Sequence, residues 1–252
     1  MLQIEGLSFA YGSRQILTDL NLLVSEGSVV GLIGPNGSGK TTTLRLAADL
    51  LPIRQGRVLV NGVDISREPL RAKSQLAFIP DSPYGFEHLT VQEYLNMYRL
   101  LQEGDSSYSE RSQYHLVAMD MEHLVHDSLG SLSAGTRRKV AIAAAFSLAP
   151  PVLLFDEATS ALDPETILVV EVALRRLAGH KRGLLIATQD LDFAERMCDL
   201  VYLLQDGRVI ESGSPKALLS NYGVKSMREV FLELVGFSEN LKKFDESFSR
   251  SL

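Results

Sequence analysis

The sequence predicts an α/β fold: a mostly parallel sheet covered on both faces by helices, an antiparallel β subdomain at its edge, and an inserted helical subdomain. Three observations predict it. From Val29 onward, short apolar runs alternate with segments of helical spacing, the pattern of strand–helix–strand units. Residues 1–30 instead alternate apolar and polar positions around turns at Tyr11-Gly12-Ser13 and Glu26-Gly27, as antiparallel strands do. Residues 83–130 lose the strand runs and are dominated by helical periodicity.

Each element follows from its residues. Val29 to Ile33 is an apolar run ending at a Gly-rich loop. Thr41 to Leu51 places Leu44, Ala47, Ala48 and Leu51 on one helix face, and Pro52 ends it. Arg57 to Val60 is a strand before the Asn61-Gly62 turn signal, and Leu76 to Ile79 is a strand ending at Pro80. Thr90 to Leu101 aligns Val91, Tyr94, Leu95 and Tyr98, and Glu103 to Ser109 reads as a polar loop. Thr136 to Leu148 is an Ala-rich helix. Val152 to Phe155 and Gly183 to Ala187 are unbroken apolar runs, as strands buried on both faces are. Pro164 to Leu177 and Leu191 to Met197 are helical, and Leu200 to Leu204 and Arg208 to Ile210 are strands around Asp206-Gly207. Residues 215–252 read as helical with a polar, Ser-rich end. The expected division is one domain over 1–220, with the helical subdomain inserted at about 83–135, and a helical extension with a polar tail over 221–252.

Composition narrows the function. With 45 % hydrophobic and 22 % charged residues, disorder over most of the chain is excluded. A net charge of -6 disfavours general binding to nucleic acid, although Arg137, Arg138 and Lys139 could form a local basic patch. The single cysteine, Cys198, can form neither an internal disulfide nor a CxxC site, and its apolar neighbours mark a buried structural thiol. Met1 to Ala10 lacks the features of a signal peptide. The longest apolar stretch, Val140 to Phe155, is cut by Pro150-Pro151 into pieces below the roughly 18–20 residues that span a bilayer. The expectation is a soluble, cytosolic chain that meets a membrane only through a partner.

Two motifs carry chemistry. Gly34-Pro35-Asn36-Gly37-Ser38-Gly39-Lys40-Thr41 fits G-x-x-x-x-G-K-[ST] at every fixed position, between an apolar strand and a helix. Gly37 and Gly39 allow backbone conformations and close approach that a side chain would block. Consecutive N–H groups and the following helix N-terminus then hold phosphate oxygens. Lys40 reaches the β- and γ-phosphates, the Thr41 hydroxyl ligates Mg²⁺, and Thr42 completes the phosphate-binding set. The ligand implied is ATP with magnesium. The strand Val152 to Phe155 ends in Asp156 and Glu157, where ligands of parallel α/β sheets sit. Asp156 suits magnesium and Glu157 can polarise an attacking water.

In full motif order over about residues 1–220, the chain resembles the ATPase subunits of ABC transporters, a branch of the P-loop NTPases. The resemblance makes Tyr11 the aromatic that stacks on adenine. Leu132-Ser133-Ala134-Gly135-Thr136 matches the family's LSGGQ signature, with Ser133 and Gly135 retained. It implies that this loop reaches the γ-phosphate bound by a second ATPase subunit, the same chain or a different one. Ser160-Ala161-Leu162-Asp163 matches the loop that couples the two sites. The helical subdomain is then the docking surface for a membrane-spanning subunit.

The match departs at two positions. The family usually has Gln at the end of the third strand, where it contacts Mg²⁺ and water; here stands Asp81, which can ligate the metal but cannot donate an amide hydrogen bond. Acids at this position occur in export-type relatives. The family's switch histidine is replaced by Gln189, after Leu185-Ile186-Ala187-Thr188. An amide cannot carry a proton or positive charge, so slower hydrolysis is expected. Two alternatives stay open: a soluble protein of this family acting on ribosomes or DNA, and a regulatory module that holds ATP and barely hydrolyses it.

Overall fold

The computed structural model describes residues 1–81, 85–100 and 107–235. The chain begins β1 (Leu2–Tyr11), β2 (Arg14–Val24), β3 (Val29–Ile33), α1 (Lys40–Ala47), β4 (Gln55–Val60), β5 (Val63–Asp64), α2 (Pro69–Lys73) and β6 (Leu76–Ile79). It continues through α3 (Val91–Leu100), α4 (Tyr108–Ala118), two short 3-10 turns and α5 (Ala134–Leu148). It ends β7 (Val152–Asp156), α6 (Pro164–Gly179), β8 (Gly183–Thr188), α7 (Leu191–Met197), β9 (Leu200–Gln205), β10 (Arg208–Gly213), α8 (Pro215–Tyr222) and α9 (Met227–Leu234).

The central sheet has the order β10-β9-β3-β8-β7-β6. All its pairings are parallel except β9–β10, which is a hairpin. Its two faces lead to two cores. Val30, Leu32, Val152, Leu154, Leu185 and Ala187 face α1 and the antiparallel strands. Val29, Ile33, Leu153, Phe155, Leu184 and Ile186 face α5, α6 and α7. Alternate residues of one strand serve opposite cores, which is why these runs are apolar without a break.

The strands expected at the edge of the parallel sheet form a sheet of their own, ordered β2-β1-β4-β5. It lies over one face of the central sheet and approaches its edge at β2, where Thr18 N–H donates to Gly207 O at 2.9 Å. The short β5 and α2 escaped the sequence pattern because neither is long enough to show a period. The first helix stops at Ala47 rather than Leu51, because Asp49 turns left-handed at φ 55. Leu50 N–H then closes back on Arg45 O at 2.8 Å. The Ala-rich helix starts two residues earlier than expected, since the Ser133 side chain caps it by accepting Thr136 N–H at 3.1 Å. It is buried on almost every side from Val140 to Ser147.

In the helical region, Thr90 and Glu93 exchange hydrogen bonds in a capping box that starts α3. The helices α3 and α4 both pack on α5. Helix α8 crosses the expected boundary at 220, and α8 and α9 pack against α7, so Leu218, Met227 and Val230 join the main core. Most of the loop expected at Glu103–Ser109, and the polar tail beyond Val235, lie outside the described residues. Cys198 is buried, and its burial pushes the thiol up to about 12.

Candidate functional site

The phosphate loop joins the C-terminal end of β3 to α1. Gly39 precedes α1 at φ 110 and offers no capping side chain, so the first N–H groups of α1 stay open to an anion. Two glycines are required here, Gly34 by backbone crowding and Gly39 by its left-handed φ as well as its close packing. A Cβ on Gly34 would lie 2.1 Å from Leu204 O, and one on Gly39 would lie 2.6 Å from Leu17 Cδ2. The loop is braced from outside by the β9–β10 turn, where Gly207 N–H donates to Ser38 O at 3.1 Å. Sequence reading saw Asp206-Gly207 only as a turn; its role under the loop needed the fold. The Ser38 hydroxyl is buried without a partner among the described residues.

Lys40 is buried and folds back along the loop, donating to Gly34 O at 2.8 Å and Pro35 O at 3.2 Å. Burial pulls its ammonium below the ordinary value, and the carboxylates of Glu157 and Asp156 oppose that shift. Lys40 Nζ lies 3.8 Å from Glu157 Oε1. The structure thus brings the phosphate loop and the acidic strand end together.

Asp156 closes β7 and is 1 % exposed. Burial raises its carboxyl, opposed by a hydrogen bond with the Thr41 side chain. Its Oδ1 has no partner among the described residues, although a buried carboxylate oxygen left unpaired is costly. That orphan oxygen beside the Thr41 hydroxyl fits a magnesium ion completed by water and phosphate oxygens. No cluster of three or more His, Cys, Asp or Glu side chains able to hold a metal occurs among the described residues, so a self-contained protein cage is not what is built here.

Glu157 is turned sharply off the strand. It has φ 50, a backbone that L-residues avoid at a cost of roughly 1–2 kcal/mol. Its N–H donates to Ala187 O at 2.8 Å, which pins the turn. Burial raises its carboxyl, and Lys40 opposes this. Oε2 accepts from the Thr188 hydroxyl and from Gln189 N–H, both at 3.4 Å. The contact from position 189 is a backbone one, indifferent to which side chain stands there.

Asp81 follows β6, and its carboxylate lies 3.4 Å from the Arg138 guanidinium. Arg138 is 1 % exposed, so it belongs to no surface patch. Its neighbours are also engaged: Arg137 donates to Leu132 O at 2.9 Å, and Lys139 pairs with Asp163 at 2.6 Å. The basic patch conceivable from sequence is therefore absent, because the periodicity of α5 sends these side chains in different directions.

Ser133 and Gly135 begin α5 beside the 160–163 loop. A Cβ on Gly135 would meet Ala161 O at 2.8 Å. Asp163 caps α6 through Thr166 and holds Lys139, whose hydrogen bond does most to keep its carboxyl far below the usual range. Among the described residues no hydrogen bond joins 133–136 to the phosphate loop. Tyr11, 46 % exposed at the tip of the β1–β2 hairpin, packs edge-on against Phe9 at 4.8 Å. The same β2 supplies Leu17 under Gly39, so this hairpin adjoins the phosphate loop.

A loop and helix of this kind, with a buried Asp and a half-buried Glu at the end of β7, one strand beyond the loop's neighbour β8, define a P-loop nucleotide-binding protein. The family model for ABC transporters matches residues 17–160. The chain is 33 % identical over 230 residues to the lipopolysaccharide export system ATP-binding protein LptB of Escherichia coli (strain K12), covering 89 % of this chain and 95 % of that protein. It is 30 % identical over 241 residues to the arginine transport ATP-binding protein ArtM of Bacillus subtilis (strain 168), covering 93 % of this chain and 100 % of that one. Among solved structures, the ATP-binding subunit of an ABC transporter superposes with a TM-score of 0.89 at 31 % identity, over 93 % of this chain and 99 % of that one. The chain belongs to the ABC transporter family, among its ATP-binding subunits.

Proposed function

We propose that this chain binds ATP at Gly34–Thr42, with Tyr11 under the base, and hydrolyses it to drive a separate membrane-spanning subunit. The observation that carries the reading is the meeting of Lys40 with Glu157 at 3.8 Å, which unites a phosphate-binding lysine with a candidate base. When phosphate enters the loop, Lys40 exchanges its loop carbonyls for phosphate oxygens, and the open end of α1 adds its N–H groups. Thr41 and Asp156 would hold magnesium, with Asp81 beside them; when bound, the ion would supply charge neutralisation for the phosphates. Glu157 takes the proton of the attacking water, and its raised carboxyl is nearer the working range of a general base. Ser133 and Gly135 of a second ATPase subunit, identical or not, close over the γ-phosphate.

The Gln189 side chain supplies no positive charge, and we propose a slowed site rather than a dead one. Support comes from Glu157, which Thr188 and the backbone N–H of residue 189 orient whatever side chain follows. Export is the direction we propose, on Asp81, the Leu132–Thr136 variant of the signature and the extension beyond residue 220. LptB is named for export, whereas ArtM is named for arginine transport, so no substrate is carried over from either. The acidic charge and the lack of a basic patch among the described residues favour no nucleic-acid partner. The experiment is steady-state ATP turnover of the purified chain with magnesium. Glu157→Gln lowers kcat by about 10³-fold while ATP binding persists. A Glu157→Gln variant as active as wild type sinks the assignment.

A further inference from the structure

Arg138 is the largest fully buried side chain of the molecule as described, and nothing in the mechanism above uses it. It lies about one turn into α5. One terminal nitrogen donates to Asp156 O at 2.7 Å and to Glu157 O. The other donates to Pro80 O at 3.2 Å and Asp81 O, and lies 3.4 Å from the Asp81 carboxylate. The Phe155 ring lies under the guanidinium, 5.7 Å from its centre.

The two strand ends need such a donor. The β6–β7 ladder runs from Leu76↔Val152 to Ile79↔Phe155 and then stops. Pro80 has no N–H with which to make another rung. Four carbonyls, those of residues 80, 81, 156 and 157, then lie at the end of the ladder with the guanidinium between them. A planar fork of N–H groups reaches both strands at once, which a lysine cannot do. The second need is charge. With an acid at 81 in place of the family's Gln, three carboxylates gather at this end of the sheet, and Asp81 acts on both Asp156 and Glu157 as a like charge.

We propose that Arg138 is a positioning residue for hydrolysis. It fixes the turn after β6 against the turn after β7, and it supplies the charge that lets an acid stand at position 81. Because Ser133 caps α5, Arg138 also joins the signature loop to the proposed hydrolytic site of its own subunit. The inference rests on the ATPase reading above, and its test separates the two.

The full chain is compared with Arg138→Lys, Arg138→Gln and the pair Arg138→Gln with Asp81→Gln. Arg138→Gln lowers kcat by about 10–100-fold, the range for a group that orients catalytic ligands, while KM for ATP moves less than about threefold. Amide hydrogen exchange without nucleotide accelerates at residues 76–81 and 152–157. Arg138→Lys keeps the charge but not the fork; it folds and shows the same faster exchange. Adding Asp81→Gln to Arg138→Gln recovers most of kcat, because the like charge acting on Asp156 and Glu157 is removed with it. Unchanged exchange in both single variants, or wild-type kcat in Arg138→Gln, overturns the positioning role. A double variant no faster than Arg138→Gln overturns the charge role. A wild-type chain without ATP turnover overturns the ATPase reading instead, and the exchange data still judge Arg138.

Discussion

Glu157 holds two unfavourable conditions at once, a left-handed backbone and a carboxylate partly withdrawn from water. The second has a signed consequence. Its folded-state pKa is raised, so between its ordinary and its raised value the folded chain binds more protons than the unfolded one. Stability then falls as pH rises through that window and is level above it. Glu157→Gln lacks this term. The nucleotide-free variant should therefore melt above wild type at pH 7, with the gap closing as pH falls below the ordinary carboxylate range. Thermal scans across pH 4–8 check both the sign and the closure. At Gln189 the expectation is gain: Gln189→His raises kcat about 10-fold or more, since one charged transition-state contact commonly carries 10²–10³. A His variant no faster than wild type refutes the idea that this side chain limits turnover. The residues of both motifs were legible because their chemistry lies in consecutive letters. Arg138 was not, since Arg-Arg-Lys reads as solvated charge until a helix turns its middle member inward. Gly207 was opaque for a similar reason: its crowding comes from Ile16 and its hydrogen bond goes to Ser38, both remote in sequence.

Helix α5 connects most of what matters, from the capping Ser133 at one end to Ala149 at the other. Ala149 closes it in a left-handed conformation, φ 45 and ψ 51, and Pro150-Pro151 forbid any continuation. A Cβ is unfavourable there, whereas glycine accepts that backbone freely. Ala149→Gly should raise stability by about 0.5–1 kcal/mol by chemical denaturation, with ATP turnover unchanged. A loss of stability would show that packing of the Ala149 methyl outweighs the backbone relief. Elements of this length and burial announce themselves: the apolar runs of β7 and β8 and the Ala-rich α5 were all readable from pattern. Short pieces were not. In β5 and α2 the local sequence does not decide, and pairing with β4 and the acidic turn at Asp64 does. The ends of α1 and α5 were misplaced because they depend on single backbone choices, at Asp49 and Ser133.

On the proposed reading, the whole molecule presents half of a site. Its phosphate loop, Lys40, Asp156 and Glu157 converge, whereas Ser133 caps its own helix and Gly135 packs against Ala161. The sequence could rank these segments by motif, but only the fold shows that one chain does not hydrogen-bond signature to phosphate loop among its described residues. A site completed from a second subunit is the proposal made above, and it sets the logic of assembly. ATP would bridge two chains, so dimer formation would be linked to ATP concentration by mass action. A stable contact of this sort buries roughly 1,200–2,000 Å² in all, and ATP turnover would keep dissolving it. Blocking hydrolysis with Glu157→Gln should therefore trap a dimer in ATP that is absent in ADP or without nucleotide, seen by light scattering after size exclusion. Ser133→Arg, added to Glu157→Gln, places bulk where the second subunit's phosphate must sit and should return the trapped species to monomer. ATP affinity of that monomer, followed with a fluorescent analogue, should stay within about threefold, because the phosphate loop is untouched. If Glu157→Gln alone stays monomeric in ATP, the two-subunit site is wrong. If the double variant still dimerises, Ser133 is not where the chains meet.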